Sequence, residues 1–223
     1  MPEQPLTIHI GEKRAVSALL TAPAQPVACY VFAHGAGAGM THAFMTSVAQ
    51  GLAERGIATL RFQFPSMEAG VRRPDPPVIA QATVRAAVAE AARRLPALPL
   101  IAGGKSFGGR MTSQAQAAEP LPGVRGLVFV GFPLHPPGKP SDERARHLDD
   151  VRIPMLFLQG TRDALAEAPL VTAVAKRLGK LTTLKLFADA DHSFHVPARA
   201  TRDDAAVLAE LLDTIRDWVA RVV

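Results

Sequence analysis

One segment organises the whole chain: Leu100-Ile101-Ala102-Gly103-Gly104-Lys105-Ser106-Phe107-Gly108-Gly109-Arg110. Its apolar beginning is too short for a helix, its centre is a glycine-rich turn around a serine, and the next residues, Met111 to Glu119, are good helix formers without proline. The turn fits the pattern G-x-S-x-G, in which the serine takes a strained backbone conformation and the two glycines let strand and helix pass closely. The segment therefore predicts a strand, a tight turn and a helix, with the hydroxyl of Ser106 projecting from the edge of a sheet.

This segment has two other interpretations. Gly104-Lys105-Ser106 is also the end of a phosphate-binding P-loop, but that loop needs a glycine where this chain has Pro99, so its backbone donors are not supplied. The second alternative is a glycine-rich turn whose serine has no chemical role. The short pattern alone does not separate an idle serine from a nucleophile, so the rest of the chain has to decide.

Composition predicts one globular domain spanning residues 1–223. The chain has 48% hydrophobic and 20% charged residues, near the average for globular proteins. Its net charge of +5 comes from arginines scattered along the sequence, with no basic cluster interleaved with aromatic residues. We therefore expect no nucleic-acid partner and a mild attraction for anionic substrates.

Cysteine content and hydropathy indicate where the protein works. The single cysteine, Cys29, cannot form an internal disulfide and lies in an apolar run where burial is expected. The first residues show no cationic and apolar signal segment, and no apolar run approaches the ~18 residues of a membrane span. We expect a cytoplasmic protein without a membrane partner.

Alternating strands and helices predict an α/β fold with about eight strands. An antiparallel hairpin comes first, and the later strands and helices imply right-handed crossovers and a mostly parallel sheet covered on both faces. Strands are predicted at 6–10, 16–20, 27–33, 57–64, from 100 onward, 126–131, 154–159 and 182–187, and helices at 41–55, 78–95, 111–119, 169–178 and 203–222. Residues 65–77 are predicted as a polar, proline-rich loop, and residues 141–148 as a polar turn or short helix.

Two further residues complete a possible catalytic triad with Ser106. A serine hydroxyl needs a base to take its proton, usually a histidine held by a carboxylate. Asp163 follows the strand at 154–159, and His192 follows the strand at 182–187. The carboxyl ends of parallel strands share one sheet edge, where functional groups gather. The order Ser, Asp, His is also the order expected of a hydrolase with a serine at this turn.

Each of these residues also has a structural interpretation. Asp163 alone could be a turn former and His192 a loop residue. Asp191 is a poor orienting acid because neighbouring side chains rarely turn toward each other, whereas His195 remains a competing base. The other histidines considered are expected at the surface or in structural roles: His9, His42, His135 and His147.

Acyl transfer also needs hydrogen-bond donors for the developing oxyanion, each worth on the order of 3 kcal/mol of transition-state stabilisation. One predicted donor is the backbone N–H of Phe107, directly after the serine. The other is the backbone N–H of Ala36, in the glycine-rich turn 34–39. This turn could instead be only a flexible connection.

Several motifs, which together span most of the chain, resemble the α/β-hydrolase superfamily and, within it, small dienelactone-hydrolase-like members. They are the serine turn, His34-Gly35, Gly160-Thr161-Arg162-Asp163 and Asp191-His192-Ser193-Phe194. The serine turn and Gly131-Phe132-Pro133-Leu134-His135-Pro136-Pro137-Gly138-Lys139-Pro140 more narrowly resemble a hydrolase-like family whose eukaryotic relatives include a chromatin-complex subunit. The resemblance implies an α/β-hydrolase fold and a serine hydrolase. Dienelactone hydrolases use cysteine in place of Ser106, so their lactone substrate is not expected.

We therefore expect a serine hydrolase that cleaves small carboxylic esters or thioesters through an acyl-enzyme. No metal or organic cofactor is expected, because serine, histidine and backbone dipoles carry the steps. Residues 132–153 are too few for a cap domain, so the site should be open and shallow, and the proline-rich loop 134–140 either walls the acyl pocket or is a rigid connector. Two alternatives stay open: a catalytically silent binding or scaffold protein, and acyl transfer to an acceptor other than water.

Overall fold

A computed structural model describes residues 3–12 and 14–223, which form a mixed eight-stranded sheet with helices on both faces. The strands are β1 (Glu3–Ile10), β2 (Arg14–Thr21), β3 (Ala28–Ala33), β4 (Ile57–Phe62), β5 (Leu100–Lys105), β6 (Val124–Val130), β7 (Met155–Gly160) and β8 (Thr182–Phe187). The helices are α1 (Ala43–Ala53), α2 (Pro65–Glu68), α3 (Pro77–Arg94), α4 (Phe107–Ala118), α5 (Ala168–Leu178) and α6 (Asp204–Val222). These elements confirm the predicted α/β class.

The order of strands across the sheet is β1-β2-β4-β3-β5-β6-β7-β8. β1 pairs with β2, and β2 with β4, in antiparallel register, whereas every other neighbouring pair is parallel. The carboxyl ends of β3, β5, β6, β7 and β8 therefore meet at one edge. This edge receives the loops that carry the predicted site residues.

The hydrophobic core lies on both faces of the sheet, and β3 shows why. All six of its residues are buried. Because side chains alternate along a strand, Cys29, Val31 and Ala33 join the cluster under α3, α4 and α5, while the residues between them join the cluster under α1 and α6. Burial raises the pKa of the Cys29 thiol to about 12, which leaves it protonated and unreactive at neutral pH.

Two local features, α2 and the start of α4, differ from the sequence predictions, whereas the polar turn or short helix predicted at 141–148 is present two residues later in the chain. The proline-rich loop predicted at 65–77 contains the short helix α2, which begins with Pro65, a residue whose fixed φ suits the first helical position. Residues 143–150 form a 3-10 helix within the segment between β6 and β7. Helix α4 begins at Phe107, four residues before the predicted start, because glycines at its first turn masked the helical pattern.

Candidate active site

Ser106 lies at a sharp turn between β5 and α4. Its backbone has a φ of 50° and a ψ of −114°, a strained conformation for a residue other than glycine. The turn is held on both sides, since the Ser106 N–H donates to the Val130 carbonyl oxygen at 3.1 Å and the Arg110 N–H donates to the Ser106 carbonyl oxygen at 3.2 Å. The Ser106 side chain makes no capping bond to α4, which leaves its hydroxyl available to another partner.

The glycines on either side of Ser106 allow a close approach of β3. A Cβ atom at Gly104 would lie 2.3 Å from the carbonyl oxygen of Ala33, and one at Gly108 would lie 2.6 Å from the same oxygen. Neither approach is compatible with a side chain. The pattern G-x-S-x-G is therefore needed here to seat the turn against the end of the neighbouring strand.

Ser106, His192 and Asp163, the three residues of the predicted triad, are connected by a chain of hydrogen bonds. His192 Nε2 is 2.9 Å from Ser106 Oγ, and His192 Nδ1 is 2.7 Å from Asp163 Oδ2. This row of hydrogen bonds has the geometry required for the imidazole to take the serine proton while the carboxylate holds the ring.

Asp163 is held in a fixed orientation by several donors. Its side chain is fully buried. The Leu165 N–H donates to Oδ1 at 2.8 Å, and the Gln159 amide donates to Oδ2, the same oxygen that faces His192. These bonds satisfy a buried carboxylate that would otherwise be costly.

Backbone contacts bring the Asp163 and His192 loops together. The Thr161 N–H donates to the Phe187 carbonyl oxygen at 3.0 Å, and the Arg162 N–H donates to the Ala190 carbonyl oxygen at 2.9 Å. These bonds join the loop after β7 to the last residue of β8 and to the loop that follows it. The relative position of acid and base is therefore set by the main chain.

The turn after β3 lies beside the serine. A Cβ atom at Gly35 would be 3.7 Å from the Cβ of Ser106. The turn is anchored by His34, whose Nε2 accepts the Phe64 N–H at 3.0 Å and whose Nδ1 lies 2.8 Å from the Gly35 carbonyl oxygen. Burial lowers the pKa of His34, which favours the neutral ring that this accepting role requires.

The two predicted oxyanion donors are the backbone N–H groups of Ala36 and Phe107, and both residues lie beside Ser106. Ala36 lines the same clefts as Ser106, and Phe107 follows it directly. Neither backbone N–H donates to an acceptor within the described residues.

Two clefts meet at Ser106 and share Ala36, Ser106 and Leu165 in their walls. The first, of about 360 Å³, contains His192 and is lined further by Gly35, Ala38, His42, Phe44, Met45, Lys105 and Ser193. The second, of about 550 Å³, contains Phe107 and is lined further by Pro74, Asp75, Pro77, Arg110, Pro133, Pro136, Pro137 and Arg144. The loop 134–140 thus contributes two prolines to a wall of the second cleft.

The competing candidates are placed elsewhere. His195 pairs with Asp204 at 2.8 Å, with 64% of its side chain exposed, and this hydrogen bond raises its pKa. Asp191 Oδ1 accepts the N–H groups of Ser193 and His195, so it shapes the loop that carries His192.

The other histidines also have structural contacts. His135 is buried and lies 2.5 Å from Glu167, and His147 lies 2.8 Å from the Ser113 hydroxyl. His9 is exposed on β1. His42 accepts the Phe44 N–H at the start of α1, and it also lines the first cleft, which sequence reasoning did not indicate.

Lys105 is a second site residue that sequence reasoning missed. It occupies the variable position before the serine, and its ammonium lies 2.6 Å from the carbonyl oxygen of His192. Burial lowers its pKa to about 8. A lysine at the end of an apolar strand was the available signal, because such a residue needs a partner when it is buried.

The described residues contain no group of three or more histidine, cysteine, aspartate or glutamate side chains placed to bind a metal ion. Within residues 3–12 and 14–223, every helix is too short or too polar to traverse a lipid bilayer.

Comparisons with known proteins agree with this architecture. A family model described as an alpha/beta hydrolase domain matches residues 26–220. A dienelactone hydrolase from Anabaena variabilis is 20% identical, with a TM-score of 0.79 over 100% of this chain and 98% of that one. An α/β serine hydrolase without lid from Xanthomonas campestris is 23% identical, with a TM-score of 0.76 over 97% of this chain and 94% of that one. An esterase domain from a Rhodothermus marinus protein is 18% identical, with a TM-score of 0.75 over 99% of both chains. At such identities the likeness is one of fold.

Proposed function

Because the chain belongs to the α/β-hydrolase family, we propose that it is a serine hydrolase that cleaves small carboxylic esters or thioesters through an acyl-enzyme intermediate. The observation that carries this proposal is the row of hydrogen bonds from Asp163 through His192 to Ser106. In this proposal Ser106 is the nucleophile, His192 the general base and Asp163 the orienting acid.

The first half of the reaction acylates Ser106. His192 Nε2 takes the hydroxyl proton as Oγ attacks the ester carbonyl carbon, and Asp163 stabilises the imidazolium that forms. The N–H groups of Ala36 and Phe107 donate to the oxygen that becomes negative. His192 then gives its proton to the leaving alcohol or thiol, and the carbonyl re-forms as the acyl-enzyme.

The second half repeats these steps with water. His192 takes a proton from a water molecule, which attacks the acyl-enzyme, and the same N–H groups stabilise the second tetrahedral intermediate. Its collapse returns the proton to Ser106 Oγ and releases the carboxylic acid. All steps use side chains and backbone groups of this chain, so the proposed mechanism needs no metal or organic cofactor.

We expect small substrates because the segment between β6 and β7 is too short to form a cap domain over Ser106. Both clefts open directly at Ser106, and Leu165 stands in the wall that they share. We expect 4-nitrophenyl esters of acetate to butyrate to be cleaved with higher kcat/KM than the octanoate ester. A preference for octanoate or longer chains would contradict a shallow acyl site.

A fluorophosphonate probe tests whether Ser106 is a nucleophile. The wild-type protein should be labelled, and Ser106→Ala should lose all labelling. Ser193→Ala is the matched control, because Ser193 lines the same cleft without bonding to His192, and it should keep labelling. A wild-type protein that takes no label would favour the scaffold alternative.

A further inference from the structure

The second cleft at Ser106 contains two arginines that form no ion pair with any of the described residues. Arg110 lies on the first turn of α4 and Arg144 on the 3-10 helix 143–150, and both side chains are partly buried. Across the part of the chain that the structure describes, neither guanidinium makes a salt bridge or donates a side-chain hydrogen bond. The Arg110 Nε atom is fully buried with no partner. An unpaired buried donor of this kind costs stability, so the described residues leave the guanidinium of Arg110 incompletely hydrogen-bonded.

The two guanidinium groups line the same cleft and carry like charges. Burial and the neighbouring charge of Arg144 both lower the pKa of Arg110. Two like charges held together in a cleft destabilise the empty protein and favour binding of an anion.

Three carboxylates near the arginines have other partners. Asp75 lines the same cleft, but its Oδ2 accepts hydrogen bonds from the N–H and the hydroxyl of Ser66. Beside Arg144 in sequence, Glu143 lies within salt-bridge distance of Arg146, and Asp142 within that of Arg177. The two cations and one anion in the cleft wall leave one net positive charge, which matches a single carboxylate.

The position of His192 decides which half of a substrate enters this cleft. A leaving group has to receive its proton from His192, which lines the first cleft. The acyl group therefore occupies the second cleft, beside Phe107, Arg110 and Arg144.

We propose that Arg110 and Arg144 bind a carboxylate at the far end of the acyl group, so that the preferred substrates are monoesters or monothioesters of short dicarboxylic acids. This inference rests on the proposed function, because it assigns the acyl side of the reaction at Ser106. Arginine suits the task, since its planar guanidinium donates two parallel hydrogen bonds to a carboxylate.

The kinetic test compares two esters with the same five-carbon acyl chain, mono-4-nitrophenyl glutarate and 4-nitrophenyl pentanoate, after correction for uncatalysed hydrolysis. The wild-type protein should prefer the glutarate by about tenfold or more in kcat/KM. Arg110→Gln and Arg144→Gln should each reduce that preference at least about fivefold, mainly through a higher KM for the glutarate. Arg146→Gln, in the same 3-10 helix but exposed, should keep it. An unchanged ratio in both cleft variants would overturn the subsite and leave the hydrolase proposal standing.

A binding test separates the subsite from the chemistry. Monomethyl glutarate should bind the Ser106→Ala variant in a calorimetric titration, and adding Arg110→Gln to that variant should weaken binding by about tenfold. If the wild type cleaves neither ester, the proposed function fails, and arginine-dependent binding would still support the anion subsite. Absence of binding at millimolar concentration would overturn the subsite whatever the kinetics show.

Discussion

The ammonium of Lys105 lies 2.6 Å from the backbone carbonyl oxygen of His192 and 5.7 Å from the centre of the Phe194 ring. The residue next to the proposed nucleophile thus holds the loop that carries the proposed base. A Cβ atom at Gly131 would lie 2.9 Å from this ammonium and 3.4 Å from the His192 ring, so the end of β6 leaves no spare room around the contact. Lys105 acts as a positioning residue for His192.

Replacing Lys105 tests this positioning role. Lys105→Met removes a charge-assisted hydrogen bond, and kcat/KM should fall about tenfold, chiefly through kcat. Since the pKa of Lys105 is lowered to about 8, the ammonium is lost above that pH, and the wild-type kcat/KM should decline as pH rises through about 8. The measurement is a pH profile with a short-chain 4-nitrophenyl ester. Lys176→Met, at an exposed position on α5, is the control, and a decline near pH 8 that persists in Lys105→Met would contradict the assignment.

Asp163, in the loop after β7, and Asp191, in the loop after β8, give a matched pair of variants. Asp163→Asn removes the charge that stabilises the imidazolium, so kcat should fall by about 10³ to 10⁴. Asp191→Asn keeps an oxygen able to accept the Ser193 and His195 N–H groups, so its loss should stay below about tenfold. Steady-state kinetics on the same ester measure both. Equal losses in the two variants would mean that loop shape, rather than the Asp163 charge, governs the rate.

The close approach at Gly104 predicts a stability effect. Gly104→Ala would force a Cβ atom to 2.3 Å from the Ala33 carbonyl oxygen, and the free energy of unfolding should drop by about 3 kcal/mol or more. Gly35→Ala is the control, because its Cβ would meet atoms only at 3.6 Å and beyond, and its free energy of unfolding should change by less than about 1 kcal/mol. Urea unfolding followed by circular dichroism compares the two. A tolerated Gly104→Ala would show that β3 can move away from the serine turn.

The lowered pKa of His147 predicts that the free energy of unfolding depends on pH. Burial and then the charge of Arg110 lower its pKa from 6.5 to about 4. Between these values the unfolded chain binds more protons than the folded protein, so the free energy of unfolding should fall as pH drops through this range. Because the ring is only partly buried, we expect about 1–2 kcal/mol from this residue.

The measurement for His147 is urea unfolding at pH 7 and pH 4.5. His147→Gln keeps a polar side chain beside Ser113 but cannot titrate, so its free energy of unfolding should fall less on acidification than that of the wild type. His9→Gln controls for the loss of an exposed histidine on β1. The same pH dependence in His147→Gln and wild type would exclude His147 as the source.

Sequence reasoning worked best where a local pattern fixes a local structure. The apolar run before Lys105 and the two glycines around Ser106 were enough for the strand and the turn, because few residues tolerate that geometry. The predicted start of α4 was less accurate, because Gly108 and Gly109 have low helix propensity. Close contacts with neighbouring backbone nevertheless require glycine at both positions. The short helix α2 was missed because prolines around it indicated a loop.

The sequence by itself determined the α/β class, the succession of strands and helices along the chain, and the candidate site residues at the carboxyl edge of the sheet. It could do so because hydrophobic periodicity and glycine geometry act over a few neighbouring positions. Only the tertiary structure decided which side chains meet. Lys105 contacts His192, which lies far from it in sequence. Arg110 and Arg144 line the same cleft although they belong to different helices. Their distances and burial depend on how strands and helices pack across the whole sheet, which no short stretch of sequence encodes.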